Sequence, residues 1–309
     1  MDEQVLDYEL KQVNAYTLVA DTALLIGFGL IGGLFVPMVL GTFHRGFFCN
    51  DQSIMYIYRS DTVTTTMLLM YAFLVMIMTI TATESYRAKR QTPILNYRYK
   101  VGNTYIHTIF AQILRNFGYS IIGLVCVLVL TQITKCCVGR LRPHFLDVCR
   151  PLNFTCRSDQ YYSDYICTGD PLMVEEARKS FFSGHSSISM YASTFSALYL
   201  LARVPRHSIG RVFLPVSQTA LLAIGLLISL SRINDNKHHW SDVIIGILVG
   251  MSIAVYTCYV WAGMFAKQRK ELLPTTRQHT DYRGTATSNS THTISLQTNV
   301  QPERSNGIS

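Results

Sequence analysis

The chain has 309 residues, 49% of them hydrophobic and only 15% charged, with a net charge of +8. A soluble domain carries about a quarter charged residues, so the composition excludes an ordinary soluble enzyme and points to a membrane. The positive charge gathers in loops between apolar runs, which argues against a nucleic-acid partner.

The start, MDEQVLDYELK, is acidic and lacks the positively charged segment of a cleavable signal peptide. The first apolar run is therefore expected to stay in the mature protein. Six such runs lie near 17–40, 64–84, 117–134, 186–202, 212–230 and 243–265. Each approaches the ~20 residues that a spanning helix needs, and a span must satisfy its backbone within itself. The expected fold is an all-α membrane protein, a bundle of six transmembrane helices over 17–265 that follows a cytoplasmic N-terminus of residues 1–16. The second and fourth runs give the weakest signal, being short or rich in Thr, Ser and Met. Gly29-x-x-x-Gly33 offers a helix-pairing face in the first, and Cys126 and Cys258 read as apolar fillers within spans. From about residue 271 the chain is too polar to bury a core, so 266–309 reads as a disordered cytoplasmic tail.

Orientation follows from the basic residues. Arg87, Lys89, Arg90, Arg98, Lys100 and Arg115 fall between the second and third runs, Arg203, Arg206 and Arg211 between the fourth and fifth, and Lys267, Arg269 and Lys270 after the sixth. In a six-span chain these segments share one side, which is then cytoplasmic. The opposite, extracellular or lumenal face carries the loops 41–63, 135–183 and 232–242. Asn153-Phe154-Thr155 is a glycosylation sequon on that face; Asn289-Ser290-Thr291 lies in the tail and is expected to be unused. Cys49, Cys149, Cys156 and Cys167 are outside too, where two bridges in any of three pairings can form.

Three stretches of this outer face carry candidate chemistry. The first, KCCVGRLRP at 135–143, admits three readings. As Cys136-x-x-Gly139-x-x-Arg142 it matches the phosphate loop of cysteine-dependent phosphatases. As Lys135, six residues, then Arg142-Pro143, it matches a membrane phosphatase motif without cysteine chemistry. As a plain basic anchor, it marks a helix end. The second stretch, SFFSGHSS, places Ser183 as an N-cap with Gly184 and His185 in the first turn, where free N–H groups and the helix dipole favour an anion. An ordinary cap with an interfacial histidine is the plainer alternative. The third, SRINDNKHHWSDV, holds Arg232, His238 and Asp242. Spaced four apart, His238 and Asp242 share a face if the segment is helical. An acid on one ring nitrogen would leave the other as a free lone pair. His239 is expected to point elsewhere, and Trp240 suits the membrane interface.

A zinc site built from His185, His238, His239 and Asp242 is disfavoured, since no outer segment supplies a clustered DxD or HxH and three nearby cations repel a metal. Cations instead suit a phosphate. With Lys135…Arg142-Pro143, Ser183-Gly184-His185 and Ser231-Arg232…His238…Asp242 at their full spacings, the chain resembles the type two phosphatidic acid phosphatases. The resemblance is specifically to the animal lipid phosphate phosphatases, also called phospholipid phosphatases. RLRPHFLDVC, KHHWSDV and RGFFCND at 45–51 strengthen the likeness, which covers about residues 17–265. Phe182 stands where many relatives outside the animal branch have Pro.

The resemblance implies that His238 is the nucleophile that forms a phosphohistidine, that Asp242 orients it, and that His185 is the general acid. It implies that Lys135, Arg142, Ser183, Gly184 and Arg232 bind phosphate oxygens, with no metal and no cofactor. A cysteine phosphate loop needs a strand before it, whereas Cys136 follows an apolar helix, so CxxGxxR reads as coincidence. The expected function is metal-independent hydrolysis of lipid phosphate monoesters such as lysophosphatidic acid, phosphatidic acid, sphingosine 1-phosphate and ceramide 1-phosphate. The alternative is a catalytically silent lipid-binding or scaffold relative. Expected partners are phosphorylated lipids and the membrane, with a homo-oligomer left open. The expected location is the plasma membrane, with the site facing outside or a lumen.

Overall fold

A computed structural model describes residues 9–90, 97–101, 103–152, 157, 160–204 and 211–265, with the backbone alone for 9–13, 97 and 98. Asn153, Cys156 and the polar tail fall outside these residues. The architecture is mostly helical. After a short strand β1 (Glu9–Val13), α1 (Ala15–Leu30) runs through a π-helical turn at Ile31–Phe35 into α2 (Val36–Leu40). Strand β2 (Phe47–Phe48) precedes α3 (Thr65–Lys89); β3 (Tyr97–Val101) and β4 (Thr104–Ile106) precede α4 (Thr108–Val138). The long loop that follows holds α5 (Phe145–Cys149), β5 (Tyr161–Tyr162) and α6 (Pro171–Ala177), and leads into α7 (Gly184–Arg203), α8 (Phe213–Asn234) and α9 (Trp240–Tyr256).

Five helices among the described residues are long and apolar enough to cross a membrane: Ala15–Leu40, Thr65–Lys89, Thr108–Val138, Phe213–Asn234 and Trp240–Trp261. The expected fourth span, α7, is 20 residues long but is not among them. The reason is its place in the bundle. α7 packs against α3, α4, α8 and α9, and Ser186, Ser187, Ser189, Ser193 and Ser196 along it are fully buried. A helix that meets protein on nearly every side needs small, mutually bonded groups more than lipid-soluble ones. Ser189 Oγ donates to Gly225 O, and Tyr71 Oη and Ser193 Oγ lie 2.7 Å apart. A Cβ at Gly250 would stand 2.2 Å from Ser187 O, so only glycine lets α9 lie this close to α7.

The helices overrun the apolar windows. α3 continues to Lys89 and α4 begins at Thr108, so Arg87 and Arg115 lie on helices and not in a loop. Arg87 is buried and bonded to Glu84, which also accepts from Tyr199 Oη at 2.6 Å. On the first helix, the glycines pack inside the chain against α4: a Cβ at Gly32 would meet Val129 at 2.6 Å, and one at Gly29 would meet Val125 at 3.4 Å.

Two small sheets, unexpected from the apolar pattern, dress the loops. β1 pairs parallel with β3, which pairs antiparallel with β4, while β2 pairs antiparallel with β5. The β2–β5 side encloses a second core of Phe47, Ile54, Leu141, Phe145, Val148, Val174 and Ala177. Cys149 bonds to Cys167, and Cys49 is also disulfide-bonded. Arg178 stacks over Phe145 and Tyr165 and donates to Tyr165 Oη at 2.6 Å. This loop core roofs one end of the bundle and fixes the segments on either side of it.

Candidate active site

Main-chain bonds draw the three motif segments together at that end. α4 stops at Gly139, whose φ of 56° is a left-handed helix cap. The chain beyond it lies against the segment that leads into α7: Arg142 N donates to Ala177 O at 2.8 Å and Ser180 N to Arg140 O at 2.9 Å. Ser183 N donates to Asp242 O at 3.1 Å, tying the α7 entrance to the start of α9. Between α8 and α9, Asn236 takes a positive φ of 55°, and the turn folds His238 back so that its N–H reaches Arg232 O at 3.3 Å.

The result is a cavity of about 610 Å³. Lys135, Arg142, Gly184, His185, Arg232 and His238 all line it. Tyr58, Leu68, Leu128, Leu172, Met173 and Ile188 also line it. Cationic and apolar side chains thus share one cavity, a lining suited to an amphiphile.

The charges are held by specific partners. Arg232, 1% exposed, donates to Asp61 at 2.8 Å and to Asp235 at 2.5 Å; Asp235 in turn accepts from Thr62 N and Oγ1. Arg142 pairs with Glu176 through Nη2, and its buried Nε makes no hydrogen bond among the described residues. The Lys135 ammonium forms no ion pair among the described residues, and a Cβ on Gly184 would lie 3.9 Å from it. His185 Nε2 lies 3.0 Å from Val63 O, which fixes the ring at the top of α7.

His238 and Asp242 require a correction. They do not share a helix: His239 is the N-cap of α9, so the helix starts at Trp240 and His238 lies in the turn before it. Asp242 bonds back to the His239 N–H and approaches His239 Nδ1 at 3.2 Å. It also accepts from Arg140 and, at 2.6 Å, from Ser180 Oγ. The separation between His238 Nδ1 and Asp242 is 3.9 Å, too long for a hydrogen bond. Ser180 Oγ sits between them, 3.5 Å from His238 Nδ1. Ser183 and Asp242 are both fully buried and do not line the cavity; the Ser183 hydroxyl caps α7 by accepting from Ser186.

Electrostatics favour a neutral His238. Burial, then the nearby Arg142, Lys135 and His185, hold its pKa well below the ordinary histidine value. Cys136 lies on α4, buried, and does not line the cavity. A phosphate loop built on its thiol therefore has no geometry here. Among the described residues, no group of three or more His, Cys, Asp and Glu side chains is arranged to hold a metal ion.

A family model described as "PAP2 superfamily" matches residues 114–266, the stretch that carries all three motifs. The chain is 49% identical over 240 residues to Phospholipid phosphatase homolog 1.2 homolog of Caenorhabditis elegans, covering 76% of this chain and 70% of that protein. It is 39% identical over 246 residues to Phospholipid phosphatase 1 of Mus musculus, with 77% and 83% covered. It is 37% identical over 227 residues to Phospholipid phosphatase 2 of Homo sapiens, with 73% and 76% covered. The chain belongs to the phospholipid phosphatases of the PAP2 superfamily. No solved structure matches it.

Several residues of this phospholipid phosphatase site escaped the sequence reading. Asp61, Glu176 and Ser180 meet the motif residues from segments outside the motifs, and no local spacing announces them. Lys237, 4% exposed with its ammonium 3.8 Å from the Tyr58 ring centre, was the most legible, being adjacent to His238.

Proposed function

We propose that this chain is a lipid phosphate phosphatase that cleaves phosphate monoesters of lipids by way of a phosphohistidine on His238. The observation that carries this reading is the convergence, in one cavity, of a neutral, buried His238 with Lys135, Arg142 and Arg232. Phosphoryl transfer needs an in-line nucleophile and positive charge on the oxygens of the transferred group. A ring that donates through Nδ1 toward Ser180 presents Nε2 as the attacking lone pair. Ser180 and Asp242 then act as its orienting pair, with Arg140 and His239 holding the carboxylate. His185, on the cavity wall, protonates the leaving lipid alkoxide and afterwards deprotonates the water that releases phosphate. The Gly184 amide, in the first turn of α7, adds a backbone donor. Cations held by the protein perform the charge neutralisation that a metal would supply, so the proposed reaction needs no cofactor.

The membrane placement belongs to the same proposal. Counting α7 as a sixth span, all helices that border the cavity reach it at one end, while Lys89, Arg90, Arg115, Arg203 and Arg211 gather at the other. The basic end is cytoplasmic, so the cavity faces outside or a lumen, at the plasma membrane, with Asn153 accessible to glycosylation. Lipid substrates such as lysophosphatidic acid and sphingosine 1-phosphate suit a cavity lined both by Lys135, Arg142 and Arg232 and by Leu68, Leu128 and Ile188.

Three experiments test this. Membranes that contain the protein should release phosphate from lysophosphatidic acid in excess EDTA, and brief exposure to 32P-labelled lipid should label His238 with an acid-labile phosphate. Activity lost with the chelator and restored by one metal, or label that survives His238→Ala, refutes the mechanism. Asn153→Gln should remove a glycosidase-sensitive mobility shift; a shift lost instead in Asn289→Gln inverts the topology.

A further inference from the structure

The turn between α8 and α9 brings more than its motif residues to the cavity. Arg232 O accepts from the main-chain N–H of Lys237 at 3.0 Å and from that of His238 at 3.3 Å, so one carbonyl holds both residues in place. Lys237, His238 and Arg232 all line the cavity. His238 and Arg232 have tasks in the chemistry described above; Lys237 has none. The residue is 4% exposed, and the N–H donors of an ammonium are costly to bury unmet. Little in the structure meets them. The Tyr58 ring, its centre 3.8 Å from Nζ, attracts the cation but supplies no oxygen. Asp61 Oδ1 is 3.9 Å away, too far for a hydrogen bond, and accepts from Arg232 at 2.8 Å. Among the described residues, the Lys237 ammonium donates no hydrogen bond.

We propose that Lys237 is a further phosphate-binding residue, whose ammonium donates to an oxygen of the substrate's phosphate group. The proposal rests on the cavity being a phosphate site. The group that this ammonium lacks must bring oxygen lone pairs and negative charge. The cavity that it lines with Lys135, Arg142 and Arg232 calls for the same ligand. No existing hydrogen bond of the ammonium has to break for the contact to form. A buried cation with a purely structural task reaches its acceptors at hydrogen-bond distance, as Arg232 reaches Asp61 and Asp235. Lys237 is instead steadied by the face of an aromatic ring, which leaves its donors free for a ligand.

The test uses the full chain purified in detergent, with inorganic phosphate as the probe. Affinity is read from the rise in unfolding midpoint with phosphate concentration. Lys237→Met keeps the stem and removes the charge; Lys237→Gln guards against an effect peculiar to Met. Both variants should bind phosphate about ten- to hundredfold more weakly than the parent, the scale of one hydrogen bond to a charged group. The same substitutions in an Asp61→Asn background decide how Lys237 acts. Asn removes the carboxylate that Lys237 shares with Arg232, while Arg232 keeps Asp235. A direct contact costs the same factor in both backgrounds. A loss that vanishes in the Asn background means that Lys237 acts on Arg232 through Asp61, and overturns the proposal. So does a loss below about threefold in the parent background, less than an average neutral hydrogen bond contributes. A parent that phosphate does not stabilise overturns it together with the phosphate reading of the cavity. Weaker binding by the variants, in a protein that binds phosphate but hydrolyses no lipid phosphate, would uphold this proposal while refuting the catalytic one.

Discussion

Ser180→Ala separates the proposed relay through Ser180 from the direct His–Asp pair that the sequence suggested. Ser180 is fully buried; its hydroxyl donates to Asp242 at 2.6 Å and stands 3.5 Å from His238 Nδ1. A hydrogen bond to a charged group contributes about 1.5–3 kcal/mol. Asp242 keeps Arg140 and His239 in the variant, so stability should fall by only about 1–2 kcal/mol. The ring of His238, however, loses its side-chain contact with Ser180 and keeps only its hydrogen bond to the Ser180 main chain. If the full bond energy is expressed in the transition state, at about 1.4 kcal/mol per tenfold, kcat should drop about ten- to hundredfold. The assay is phosphate release from lysophosphatidic acid by purified protein, with the unfolding midpoint measured alongside. A cycle with Asp242→Asn adds a second criterion. Residues acting in series are strongly non-additive, so the double variant should be little worse than Asp242→Asn alone. A Ser180→Ala enzyme within about threefold of the parent, beside a dead Asp242→Asn, would refute the relay; that threefold margin is about 0.65 kcal/mol.

Further outcomes follow from the same geometry. Cys136→Ser should retain most activity because the thiol does not line the cavity. Arg142→Lys should lose much of it because an ammonium cannot make the two-pronged contact; the reverse result on a lipid phosphate assay would revive a cysteine mechanism. His185→Ala should lose about a hundred- to ten-thousandfold on lysophosphatidic acid but a smaller factor on p-nitrophenyl phosphate, whose leaving group departs without a proton. Equal losses would make His185 a binding residue only. His144, with its Nδ1 2.7 Å from Asn236 O, has its pKa lowered to about 4, chiefly by burial. A histidine depressed in the folded state is fully compatible with folding above about pH 6.5 and costs stability as pH falls below it, because the unfolded chain takes up the proton first. Unfolding midpoints should therefore decline between pH 6.5 and 4, and less steeply in His144→Gln. Gly250→Ala pushes a methyl against Ser187 O and should destabilise the α7–α9 contact by about 1–3 kcal/mol, seen as a lowered midpoint in detergent.

The positions of the apolar helices along the chain and of the charged groups were legible because both are one-dimensional properties. Apolar runs near 17–40, 64–84, 117–134, 212–230 and 243–265 all became long apolar helices. Lys135, His185, Arg232 and His238 stood out because charge at the mouth of a span is costly to place without use. The weak fourth run was weak for a reason invisible in a hydropathy window. α7 is surrounded by other helices, so its buried face carries serines that bond to neighbours and not the aliphatic residues that lipid demands. The small strands also went unread, since each is two to five residues long and exists only by pairing with a distant segment.

The sequence by itself determined the family motifs and their spacing. Which groups touch was decided only by the tertiary structure. The four-residue interval between His238 and Asp242 suggests a shared helical face, but a cap at His239 places the first outside the helix and the second within it. Their link then passes through Ser180, some sixty residues earlier in the chain. Arg232 finds Asp61 and Arg142 finds Glu176 in the same way. A buried charge must be paired, and that need is written in the sequence. The identity of the partner is a distance across the bundle, and no interval along the chain encodes it.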